Sequence, residues 1–311
     1  MWINGAIDVL MRLIGIVACL WGWGFLASRV IWRGRIASLC AADTVPFGLA
    51  AMYVFGVAAS LIWPLSGSVD WIAILIGWAG AGVSVYENRR NLHSPRLLAF
   101  LCVLAVLLAF GAVVTPVNFD AGLYQMQVMK YVQTEPVPLG IANIQDRLGF
   151  NSSMIVIGAL LEGSLLGGDG SFLLSAAIFW CFVVACLERS IRSWSGSAGP
   201  FTGLFAAFLL CLWLGNLNGL IFEWFSHGPN GDIPGAIFCC WTFVAFFALV
   251  EDAQDDSAGA AFMLLACCCV VGVSIKLSQA PVALLLPIAW RSHLPQAARE
   301  ALRALRGPIL P

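Results

Sequence analysis

The sequence predicts an all-α fold, a polytopic transmembrane helix bundle of about nine or ten hydrophobic segments with a long external loop bearing an amphipathic helix. Three observations carry that prediction. Hydrophobic residues fill 60% of 311 positions and charged ones 11%, against roughly a quarter charged in a soluble domain. Apolar stretches recur near the ~20 residues that a ~30 Å hydrocarbon core demands. The 13 Trp and 20 Phe suit aromatic belts at the two membrane surfaces. No basic cluster of the kind that binds nucleic acid accompanies the net charge of -1, so no nucleic-acid partner is expected.

In chain order the segments are Leu13 to Ile31, Thr44 to Leu65, Trp71 to Tyr86 and Leu97 to Val117. After a polar loop come Met154 to Leu166, Ser171 to Leu187 and Phe201 to Leu214, then Pro234 to Val250, Ala260 to Ile275 and Leu277 to Trp290. The first lacks an A-x-A-like cleavage region and is expected to remain in place. The chain thus divides into three N-terminal transmembrane helices (1–96), a membrane core (97–290) with external loops 118–153 and 215–233, and a tail (291–311). The tail reads as a basic amphipathic helix on the anionic inner leaflet, with Ala298, Ala301, Leu302 and Leu305 on one side, or as a solvated end.

Arginines in short loops set the orientation. Arg29, Arg33 and Arg35 follow the first segment, Arg89, Arg90 and Arg96 the third, Arg189 and Arg192 the sixth, and Arg291, Arg299, Arg303 and Arg306 lie in the tail. Placing all four groups in the cytoplasm puts the N-terminus and both long loops outside. Residues 154–187 then cross a net single time, with Met154 to Leu166, which contains Glu162, as a re-entrant or interfacial helix. If both segments cross instead, Arg189 and Arg192 face outward and the two loops lie on opposite sides. The 11 cysteines show no C-x-x-C or Cys/His spacing and read as buried thiols rather than zinc ligands.

Polar residues are costly in such a chain, so their positions are informative. Asn118-Phe119-Asp120 leaves the fourth segment, and Leu123, Met126, Met129 and Lys130 follow at helical spacing, flanked by Tyr124, Gln127 and Tyr131. Glu135-Pro136 stops that helix, and Asp146 and Arg147 lie in the turn-rich return. A solvated connector is the plain alternative, but connectors seldom run this long. The second loop gathers Glu223, His227 and Asp232 around the turn Gly228-Pro229-Asn230-Gly231. His227 reads as structural or as a ligand, and Asp232 as a helix cap, a catalytic carboxylate or both. Lys276 interrupts ~30 apolar residues, and reads as a snorkelling side chain or as a phosphate contact. A divalent metal (Mg or Mn) would find oxygen ligands in Asp120 with Asp232 or Glu223.

The order of helix, N-F-D, amphipathic external segment and hydrophobic hairpin resembles the first external loop of the GT-C membrane glycosyltransferases. Asp120-Ala-Gly-Leu-Tyr124, Leu148 to Ser153, Gly228 to Pro234 and Ser274 to Ser278 look more closely like a bacterial multi-pass family thought to act in cell-surface polysaccharide assembly. The likeness covers roughly residues 97 to 290. It implies transfer of a sugar from a polyprenyl-phosphate donor to a glycan or lipid acceptor at the plasma (inner) membrane. By it Asp120 is the catalytic or metal-linked carboxylate, with Asp232 in the second loop of the site. Tyr124 and Arg147 become substrate contacts, and Lys276 meets the donor phosphate. His227 in the second loop is a further candidate substrate contact from its own position. The chain departs from the pattern at Gln125, where a histidine often follows the tyrosine. Such enzymes usually continue beyond the point matching Pro311, so a short or truncated member is the expectation.

Two other classes compete. A polysaccharide transporter or polymerase component would use a charge inside the bundle, with Glu162 as its candidate. A non-catalytic scaffold would tolerate alanine at Asp120, Asp232 and Lys276 together.

Overall fold

A computed structural model of the chain describes residues 2–32, 41–88, 95–114, 121–137, 152–168, 170–196, 198–216, 231–251 and 258–290. The described residues are helical, without strands, in ten α-helices and shorter 3-10 and π turns. The helices are α1 (Trp2–Trp32), α2 (Val45–Ser60), α3 (Ser68–Asn88), α4 (Pro95–Val114), α5 (Met126–Thr134) and α6 (Ser153–Leu161). They continue as α7 (Gly170–Trp194), α8 (Pro200–Gly215), α9 (Asp232–Glu251) and α10 (Ala258–Ile275). A 3-10 turn from Leu277 to Leu284 opens the last apolar segment, Leu277–Trp290. Six helices are long and apolar enough to cross a membrane, namely α1, α2 with its preceding turn, α3, α7, α9 and α10. The fold is therefore the all-α polytopic bundle that the composition predicts.

Contacts at the helix ends fix how the segments alternate. α1 and α3 run parallel: Trp78 Nε1 donates to Gly15 O at 2.9 Å, and Arg29 pairs with Glu87 where both helices end. We call that end lower, and the end where α1 begins upper. Glycine permits the close approach, because a Cβ on Gly22 would lie 1.7 Å from Gly77 O. α2 returns antiparallel, with Gly48 against Leu20 O and Gly24 against Thr44 O. At the lower end the Glu251 carboxylate accepts from the backbone N–H groups of Phe201 (2.7 Å) and Thr202 (2.8 Å), which ties α9 to the start of α8. Leu277–Trp290 runs back beside α10, where Cys269 lies near Val282 and Phe262 near Trp290.

α6 does not cross. Its nine residues would extend about 14 Å at 1.5 Å each, half a hydrocarbon core. It starts beside the end of α10, where Ser152 Oγ donates to Ile275 O at 2.8 Å. It ends beside the start of α3, where Gly163 packs on Asp70. Both places are at the upper end. Residues 154–187 therefore make one net crossing, and all nine residues of α6 are buried. One hydrophobic core runs from Leu13 through α6 and α7 to Ala289, so the first three helices share their packing with the rest.

Candidate functional site

The upper end gathers the polar groups that the sequence singles out. α9 opens on Asp232, and α10 ends one residue before Lys276. The two side chains form an ion pair across 44 residues of sequence, each about half exposed. The junction beneath them is tight and polar. A Cβ on Gly231 would lie 3.1 Å from Ile275 O, the carbonyl to which Ser152 donates. Ser274 Oγ lies 3.0 Å from Ser153 Oγ, and Ser152 Oγ accepts from Met154 N at 3.3 Å, capping α6. The starts of α6 and α9 thus meet at the end of α10, and helix starts carry positive partial charge. The end of α10 at the same spot carries the opposite partial charge, and Lys276 there is paired with Asp232.

α5 lies at the same end. A π-helical turn, Ala121–Gln125, leads into it, and Gln133 Nε2 donates to Ala159 O of α6 at 3.2 Å. The helix is amphipathic as expected, but the buried line differs from the one the spacing suggests. Leu123 and Lys130 are exposed and Met126 is half-buried, while Gln125 and Met129 are buried. Packing on α6 and on the α2–α3 turn selects that line, since Leu65 N donates to Val132 O at 2.8 Å. Tyr124 is half-buried, in register with exposed Gln127 and Tyr131. Gln125 faces inward.

The structure thus brings Asp232 and Lys276 together and sets Tyr124 at the same end of the bundle. Asp120, Arg147, His227 and Glu223 lie outside the described residues. Among the described residues no group of three or more His, Cys, Asp or Glu side chains converges as a metal site. Asp232 is already matched by the Lys276 ammonium, which disfavours a second cation, so the described residues do not fit a divalent metal there. All ten described cysteines are free thiols.

Sequence reasoning missed a second polar centre, inside the bundle. Asp43, in the 3-10 turn Ala41–Thr44, is fully buried. Its Oδ2 accepts from Arg189 Nη2 at 2.6 Å and its Oδ1 from Trp241 Nε1 at 3.1 Å. Thr44 packs against Gly24, eight residues before the end of α1, which places the turn about 12 Å in from the lower end. The signal was present: an aspartate just before Thr-Val-Pro at the head of an apolar stretch. Glu162, the charge a transporter reading would use, caps α7 instead, accepting from Ser171 N at 3.0 Å.

Helices of this length and apolarity, alternating about a buried core with polar groups at the upper end, define a polytopic α-helical membrane protein. Within that class the chain belongs to the family described as a domain of unknown function (DUF8201), whose model matches residues 7–306. No curated protein and no solved structure matches it.

Proposed function

We propose that the protein is a GT-C-like glycosyltransferase of the plasma (inner) membrane that moves a sugar from a polyprenyl-phosphate donor to a glycan or lipid acceptor during cell-surface glycan assembly. The observation that carries the reading is the Asp232–Lys276 pair, set among helix starts at the same end as α5. In this reading Asp120, the residue before the π turn, is the general base. It takes the proton from the acceptor hydroxyl, whose oxygen attacks the anomeric carbon. The bond from that carbon to the phosphate oxygen breaks, and the phosphate leaves with the electron pair. Lys276 balances the charge on the departing phosphate, and Asp232 holds Lys276 in place until the donor arrives. Tyr124, Arg147 and His227 contact the substrates.

A half-exposed ion pair contributes only ~0–1 kcal/mol to stability, so variants at it should fold. The test is turnover of a labelled polyprenyl-phosphate sugar by the protein in proteoliposomes. Release of polyprenyl phosphate by wild type, lost in Lys276→Gln at equal protein level, supports the reading. No turnover by wild type with any donor, or full turnover by Lys276→Gln, counts against it.

One observation favours a transport reading, the buried Asp43–Arg189 pair, because ionisable groups within a membrane often mark transport paths. Export that fails in Asp43→Asn while sugar transfer continues would favour it.

A further inference from the structure

We propose that an anionic phospholipid with a hydroxylated headgroup, of the phosphatidylglycerol class, docks on the exposed stripe of α5. Met126, Gln127, Lys130, Tyr131 and Thr134 line a hollow of about 400 Å³ along that stripe. They recur at i, i+1, i+4, i+5 and i+8, so one helix face presents them all. Gln127, Lys130, Tyr131 and Thr134 are all exposed and lie on the side of the helix opposite the buried line of Gln125 and Met129.

The chemistry of the lining selects the occupant. Lys130 is exposed and forms no ion pair among the described residues, which leaves a point charge for a phosphate. The Gln127 amide can meet a headgroup hydroxyl. Thr134 Oγ1 donates to Lys130 O at 2.9 Å and keeps its lone pairs for a second one.

The acyl chains have a place as well. The α2–α3 turn is bonded to α5 by Leu65 N to Val132 O, Ser66 Oγ to Gln133 O and Val137 N to Ser60 O, at 2.6–2.8 Å. That turn exposes Leu61 (66%), Ile62 (62%) and Trp63 (59%) in succession. An exposed apolar triplet ending in tryptophan sits at the acyl–headgroup boundary. The turn fixes the depth of α5, and Lys130 then stands at the level of the phosphates.

The test is lipid retention by native mass spectrometry from mixed micelles, with phosphatidylglycerol and phosphatidylcholine as probes. One lysine at an anionic surface is worth about a fivefold change in binding. Lys130→Gln should therefore lower phosphatidylglycerol retention about fivefold, Lys130→Arg should restore it, and phosphatidylcholine should not change. Equal phosphatidylglycerol retention in Lys130→Gln, or parallel loss of both lipids, would overturn the proposal. So would displacement by millimolar glycerol phosphate, which would mark a site for a soluble phosphate instead. None of these readouts depends on sugar transfer.

Discussion

Arg189 and Asp43 are joined at 2.6 Å across 146 residues of sequence, in the buried interior of the bundle. The pair ties the turn before α2 to α7, and the Trp241 indole brings in α9. Removing one partner from a buried pair leaves an uncompensated charge, at a cost of about 3–5 kcal/mol. Asp43→Ala and Arg189→Ala should each lower the unfolding midpoint in detergent by that equivalent, and the double variant should recover most of it. A thiol-reactive dye can follow the transition, since Cys19, Cys181, Cys186, Cys268 and Cys269 are buried in the fold. A double variant no better than the worse single one would contradict the ion-pair assignment.

Gly22 and Gly82 make a matched pair of tests. Alanine at Gly22 drives its Cβ into Gly77 O, a backbone atom that cannot turn aside, whereas Gly82 has open space. Overpacking of that kind costs about 1–3 kcal/mol. Gly22→Ala should destabilise by that amount in the same melt, and Gly82→Ala should be neutral or slightly stabilising.

Glu162 separates capping from transport. Its carboxylate accepts from Ser171 N, and a glutamine oxygen can do the same. Glu162→Gln should keep stability and function near wild type, while Glu162→Ala should lose about 1 kcal/mol. Loss of export in the glutamine variant at full stability would show that the charge itself is used.

Much of this architecture was legible in the sequence. Each of the ten hydrophobic segments corresponds to a helix or helical turn, because a membrane forces apolar length and backbone satisfaction into the same stretch of chain. The net single crossing of 154–187 followed from the arginine distribution. The Asp43–Arg189 pair was not legible, because hydropathy treats a charge as a boundary. It places Asp43 just outside the segment beginning at Thr44, and Arg189 among loop arginines. Only the approach of the turn before α2 to α7 and α9 shows that the two charges neutralise each other. The buried line of α5 differed for a related reason: the packing partner, not the spacing alone, selects Gln125 and Met129.

The arrangement of ends makes a sidedness prediction. Glu135 and Ser195 are both exposed, one just after α5 at the upper end and the other after α7 at the lower end. Arginines follow α1, α3 and Leu277–Trp290, which finish at the lower end, and Arg192 lies in the last turn of α7, while the stretch after α9 carries none. By the positive-inside rule that end should face the cytoplasm. An impermeant maleimide on intact cells should label Glu135→Cys above the native-cysteine background and leave Ser195→Cys unlabelled until the membrane is opened.

The functional proposal is tested most directly by following label from polyprenyl-phosphate sugars in cells carrying wild type or Asp120→Asn. Accumulation of donor lipid and loss of labelled surface glycan only in the asparagine variant, at equal protein level, is the predicted result. Identical profiles of lipid-linked intermediates and surface glycan in both strains would contradict the assignment of Asp120 to a transferase site.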